Sequence, residues 1–190
     1  MVSHLDILKK FTGKEAGIFI DEANVFYSQK TLGWHIHWQK FLEYLSEFVE
    51  IKIAKYYMGE PTAKEAFEKN VLIKHRLETE GFEVITKPLK KIYLDKDKKR
   101  FIHKCNFDVE ITIDVIRNLA NLDLVIVGTS DSDFIALQRD VVSHDKGFIF
   151  CCFDHNAPWE IRRVYHTFFE DIKDHIIYKK ENPENKFGVE

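Results

Sequence analysis

Five short apolar runs punctuate the chain, each closing on a polar residue or a turn. Ala16–Asp21 (AGIFID), Ile51–Met58, Phe82–Thr86, Leu122–Val127 and Phe148–Phe153 have the length and continuity of strands buried on both faces. Between them the apolar period becomes that of a helix. Phe41, Leu42, Leu45, Phe48 and Val49 recur at helical spacing, so Trp38–Val49 reads as an amphipathic helix. Pro61-Thr62 opens another over Ala63–Glu80, which Gly81 closes in the position of a left-handed cap. Further helices are expected at Phe107–Leu119, Asp131–Val142 and, briefly, Trp159–Tyr165. The stretch after Asp21 reads as a polar loop containing Gly33, and Lys87–Lys104 as a strand extension or hairpin. Strands separated by long helices pair in parallel through right-handed crossovers. The expectation is an α/β fold in three layers, α/β/α, around a mainly parallel, Rossmann-like central sheet.

Composition narrows this little. The chain has 190 residues, 45% hydrophobic and 31% charged, with four Pro and eight Gly, which fits one globular domain. Such a chain buries roughly two-thirds of its unfolded surface and needs no staple. The organisation expected is an N-terminal helical extension at 1–14, a domain at 15–178 and a polar tail at 179–190. No apolar run approaches the roughly 18 residues of a membrane span, and MVSHLDILKKF lacks a signal-peptide core. A soluble, cytoplasmic protein is expected. Cys105, Cys151 and Cys152 form no C-x-x-C pair and read as reduced core thiols.

Candidate chemistry lies at the strand ends, because ligands of open parallel sheets bind beyond the carboxyl ends of the strands. Asp21 and Asn24 follow the first strand, Asp131 and Asp133 follow the fourth, and Asp108 opens the helix leading to the fourth. If the first and fourth strands are neighbours, these residues converge on one rim. Clustered carboxylates repel, and a divalent cation relieves the conflict. Oxygen-only ligands favour Mg²⁺ or Mn²⁺ over zinc, and such a site suits phosphodiester hydrolysis. The alternative is capping: Ser130, Asp131 or Asp133 starting a helix, and Asp108 serving a helix dipole.

Three blocks add a resemblance: Phe19-Ile20-Asp21-Glu22-Ala23-Asn24, Cys105-Asn106-Phe107-Asp108-Val109 with Asp114 beyond, and Gly128-Thr129-Ser130-Asp131-Ser132-Asp133-Phe134. In this order, over roughly Gly17 to Phe153, they resemble the signature blocks of the NYN domain family, nearest its LabA-like branch, within the PIN-like nuclease superfamily. The resemblance implies a PIN-like fold and a ribonuclease dependent on Mg²⁺ or Mn²⁺, with RNA, single-stranded or structured, as partner. It puts Asp21, Asp108, Asp131 and Asp133 at the metal and Asn24 among the catalytic residues, with Ser130, Ser132 and Asp114 in support. Asp114 lies about 240° around a helix from Asp108, which favours a hydrogen-bonding role over ligation. The chain departs from the family pattern at Glu22, where Gly is common, at Cys105-Asn106, where Lys-Gly is usual, and at Ser130, another usual Gly.

The net charge of −3 hides a basic stretch, Lys87–Lys104. Lys87, Lys90, Lys91, Lys96, Lys98, Lys99, Arg100 and Lys104 face only Asp95 and Asp97, and Tyr93 and Phe101 add aromatic faces. Lys91, Lys98, Lys99, Arg100 and Lys104 are the candidate substrate contacts, since single-stranded nucleic acid takes phosphate contacts and stacking together. The competing reading is a solvated hairpin with lysines blunting its edge. His35 and His37 form an H-x-H without a third ligand, and His155 and Trp159 follow the fifth strand. Homo-oligomerisation is left open. The competing function is a catalytically weak or inactive RNA- or protein-binding regulatory module of the same fold.

Overall fold

A computed structural model describes residues 4–95 and 100–178, with their side chains except at 4, 5, 93–95 and 100–104. In chain order the elements are α1 (His4–Lys9), β1 (Glu15–Asp21), α2 (Glu22–Leu32), α3 (Trp38–Ser46), β2 (Glu50–Glu60), α4 (Lys64–Thr79), β3 (Glu83–Pro88), β4 (Lys90–Asp95), β5 (Arg100–Lys104), α5 (Asp108–Asn118), β6 (Leu124–Gly128), α6 (Ile135–Ser143), β7 (Gly147–Cys152), β8 (His166–Phe168) and α7 (Lys173–Ile176). Six strands form one sheet in the order β3-β2-β1-β6-β7-β8, and every neighbouring pair is parallel. The antiparallel pair β4-β5 stands apart as the expected hairpin.

The central strands are buried on both faces, and their side chains alternate between two cores. Ile18 and Ile20 of β1, Leu124 and Ile126 of β6, and Ile149 and Cys151 of β7 join one cluster with Phe41 and Leu45 of α3 and Phe169 and Ile176 near the C-terminus. Phe19, Val125, Val127, Phe148, Phe150 and Cys152 join the other, with Ile111 and Val115 of α5 and Leu137 and Val141 of α6. Cys151 and Cys152 therefore point to opposite faces, both buried and unbridged.

Three features depart from the expected elements. The stretch after Asp21 is the helix α2, capped by the Asp21 side chain and closed by Gly33 at φ 71°, where the left-handed backbone suits glycine. Its buried positions are Val25, Ser28 and Gln29, while Phe26 and Tyr27 lie outside, so no apolar stripe announces it. The expected helix at 159–165 is only a single 3₁₀ turn at Ile161–Arg163, and β8 follows as a sixth parallel strand. Three residues are too few to show a strand period. The helix after Asp131 begins with a 3₁₀ turn at Ser132–Phe134 before α6.

β1 lies between β2 and β6, and the chain moves outward from β1 to β3 before crossing to β6. The crevice between the carboxyl ends of β1 and β6 is thus the topological switch point, where such sheets bind ligands. Phe19 is fully buried in the same cluster as Phe107, at the mouth of α5. Phe19→Ala is expected to lower stability by about 3–5 kcal/mol in urea denaturation.

Candidate functional site

Asp21 closes β1 and caps α2. Its Oδ1 accepts the Ala23 N–H at 3.2 Å, and its Oδ2 accepts Asn24 Nδ2 at 2.6 Å and the Thr129 hydroxyl at 3.3 Å. Thr129, buried just past β6, also accepts the Asp131 N–H at 3.2 Å, so one hydroxyl joins the ends of β1 and β6. Asp131 Oδ1 in turn accepts the Asp133 N–H at 2.9 Å and starts the 3₁₀ turn. Asp131 is therefore both a cap, through Oδ1, and a rim carboxylate.

Asp108 arrives from the other side of the crevice, at the start of α5. Asn106 Nδ2 donates to Asp108 Oδ2 at 2.6 Å, and Asn106 Oδ1 accepts the Asp108 N–H at 2.8 Å, which fixes the carboxylate against the helix terminus. Asp108, Asp131 and Asp133 each offer a carboxylate oxygen, and the three oxygens lie within 4.8 Å of one another. Asp21 sits behind this group, 5% exposed. Burial raises its pKa from the ordinary carboxylate value, with the Asp108 charge adding to the effect and the bonds from Asn24, Thr129 and Ala23 opposing it.

The remaining expected residues divide. Ser130 donates to Asn156 Oδ1 at 2.8 Å, and Asn156 Nδ2 donates to Ser28 Oγ at 2.9 Å, tying the Asp131 loop to α2 and to the end of β7. Ser132 is half-buried within the 3₁₀ turn. Asp114 accepts the Tyr57 hydroxyl at 2.6 Å and lies 3.1 Å from Lys55 Nζ, outside the carboxylate group. Lys91 is exposed on β4. Arg100 and Lys104 lie on β5, with Lys104 opposite Lys90, while Lys98 and Lys99 fall outside the described residues, as do Lys96 and Asp97. Lys87 pairs with Glu110 and lies over the Phe107 ring at 4.5 Å, so it braces the entry to α5. His37 stacks on Tyr178 at 4.3 Å and takes no part in the acidic group.

Residues missed from sequence are Thr129 and Asn156, whose partners Asp21 and Ser28 the fold brings close, while Asn106, which bonds Asp108 two residues on, was visible only as a departure from the family pattern. Glu22 was visible only as a departure from the family pattern. It lines a cavity of about 520 Å³ with Asp21, Asp108 and Asp131. Burial pushes its carboxyl up to about 7, opposed by the Gly59 backbone N–H and reinforced by the Asp21 charge. Burial also raises the Cys105 thiol at the same cavity, which argues against a thiolate there.

A parallel α/β/α sheet with an acidic group at its switch point is the PIN-like arrangement. The chain matches the NYN domain over residues 15–173 and belongs to that family. It is similar to low amplitude and bright protein LabA of Synechococcus elongatus, 30% identical over 141 residues that span 70% of this chain and 73% of that one. The crystal structure of a protein of unknown function from Vibrio parahaemolyticus shares the fold, with a TM-score of 0.70 at 22% identity over 87% of this chain and 97% of that one. Among the described residues no helix is long and apolar enough to cross a membrane.

A carboxyl with a raised pKa in the folded state favours folding at low pH, and that contribution fades as pH rises from 4.5 through about 7. Glu22→Gln is therefore expected to flatten the fall in melting temperature between pH 5 and 8 in chelator. At pH 8 it should gain about 1–2 kcal/mol over the parent, with partial solvent access limiting the effect. Thermal melts across this range check it, and parallel curves for the two proteins would contradict it.

Proposed function

We propose that this chain is a divalent-metal-dependent ribonuclease that hydrolyses phosphodiester bonds at the rim between β1 and β6. The observation that carries the reading is the approach of Asp108, Asp131 and Asp133 to within 4.8 Å at their carboxylate oxygens, with Asp21 behind them. Such a group is repulsive alone and suits a hard cation, because every donor in it is oxygen. Mg²⁺ or Mn²⁺ fits this donor set. A bound cation supplies Lewis-acid stabilisation for displacement at phosphorus.

The chain's own residues prepare that chemistry. Asn24 and Thr129 hold the Asp21 carboxylate, Thr129 fixes the Asp131 backbone, and Asn106 orients Asp108. Their bonds restrict the acids to one arrangement, which limits reorganisation on binding. Lys91 and the lysine- and arginine-rich hairpin at Lys90–Lys104 adjoin the segment that carries Asp108, and supply positive charge for an RNA backbone. The family membership supports nuclease-type chemistry.

The test is fragment release from a labelled single-stranded RNA with Mn²⁺, Mg²⁺ or chelator. Cleavage should require metal, and Asp131→Asn should lower it at least about 100-fold, as loss of a charged group at a phosphoryl-transfer centre does. If parent and variant are equally inert yet both bind the RNA, the regulatory binding module replaces the ribonuclease.

A further inference from the structure

The cavity beside the acids has a second wall that the acidic chemistry leaves unexplained. Phe26 and Tyr27 line it from α2, and Lys69, Asn70 and Ile73 line it from α4. Phe26 is 46% exposed and Tyr27 62%, although α2 turns the polar Ser28 and Gln29 inward. The two rings stand 5.7 Å apart at 75°, giving the cavity mouth an aromatic corner. Folding does not require this placement, because exposed aromatic rings contribute little to a core. A ligand with a flat apolar face would cover it.

Three further features narrow that ligand. The volume of about 520 Å³ falls in the range of small-ligand pockets and continues directly into Asp21, Asp108 and Asp131. Lys69 forms no ion pair among the described residues, so a cation joins the acids in lining this cavity. Asn70 Nδ2 is held by the Gly59 carbonyl at 3.2 Å, which orients its amide and leaves Oδ1 as the acceptor. A flat ring, a hydrogen-bonding edge and an adjoining anion are the parts of one nucleotide. A base within a duplex is stacked on both faces and paired at its edge, so it cannot enter such a recess without leaving the helix.

We propose that this cavity receives one unpaired nucleobase of a single-stranded RNA, stacked on one ring of the Phe26–Tyr27 corner and edge-on to the other, with Lys69 on an adjoining phosphate. The proposal rests on the ribonuclease reading and adds that the strand must be unpaired where it meets α2 and α4. Both aromatic side chains are exposed, so their removal leaves the cores intact.

The probe is an uncleavable 2′-O-methyl RNA octamer carrying one 2-aminopurine, titrated with protein in Mn²⁺ and read by fluorescence. The parent should bind it, and the Phe26→Ala, Tyr27→Ala double variant should bind at least about 10-fold more weakly, as loss of base stacking predicts. Lys69→Gln should lower the salt dependence of binding by roughly 0.7 in the log–log slope, one phosphate contact on a single strand. The duplex form should bind weakly and respond little to the double variant. Equal binding by parent and double variant, or equal binding of strand and duplex, overturns the proposal. Cleavage of unmodified RNA separates the two readings. If the octamer binds as described while RNA stays intact with Mn²⁺, the cavity stands and the ribonuclease fails. If RNA is cut equally by parent and double variant, with equal octamer binding, the cavity fails and the ribonuclease stands.

Discussion

The Thr129 hydroxyl is the joint on which the rim depends. It donates to Asp21 at the end of β1 and accepts from the Asp131 backbone beyond β6, so two segments more than a hundred residues apart share one buried atom. Because β1 and β6 are parallel neighbours with Ile20 opposite Gly128, the residues that follow them emerge side by side. The parallel sheet creates the crevice, and the hydroxyl fixes the acids within it. Without such bonds the carboxylates would separate to reduce repulsion.

Three of the four acids carry a second duty that holds them in place. Asp21 caps α2, Asp131 caps the turn leading to α6, and Asp108 exchanges hydrogen bonds with Asn106 at the head of α5. Helix N-termini favour negative charge, which offsets part of the cost of grouping anions. Capping and clustering were competing explanations of these residues in the sequence; in the fold they reinforce one another. The raised pKa of Asp21 and of Glu22 marks the remaining cost of burying acids here.

The strands were legible because burial on both faces writes them as unbroken apolar runs, from Ile18–Ile20 to Phe148–Cys152. The adjacency of β1 and β6 was a condition that the sequence left open, and the strand order meets it, which brings Asp21 and Asp131 to one crevice. α2 was illegible because its inner face is polar, with Gln29 Oε1 accepting the Ile36 N–H at 2.7 Å, and its aromatics face outward. β8 was illegible because three residues carry no period. Thr129, Asn106 and Asn156 act through hydrogen bonds to distant or turned-back partners, a property that residue type alone does not encode. The basic hairpin was legible as charge, but Lys87 is engaged with Glu110 and Phe107 rather than open to a ligand.

If the acids hold one cation as a unit, as proposed, a double-mutant cycle in Mn²⁺ affinity reveals it. Calorimetric titration of the parent, Asp108→Asn, Asp133→Asn and the double variant gives the coupling between α5 and the β6 rim. The double variant should lose little more affinity than either single one, a coupling of at least about 1 kcal/mol. Strictly additive losses, or Mn²⁺ binding unchanged in all three variants, would contradict it.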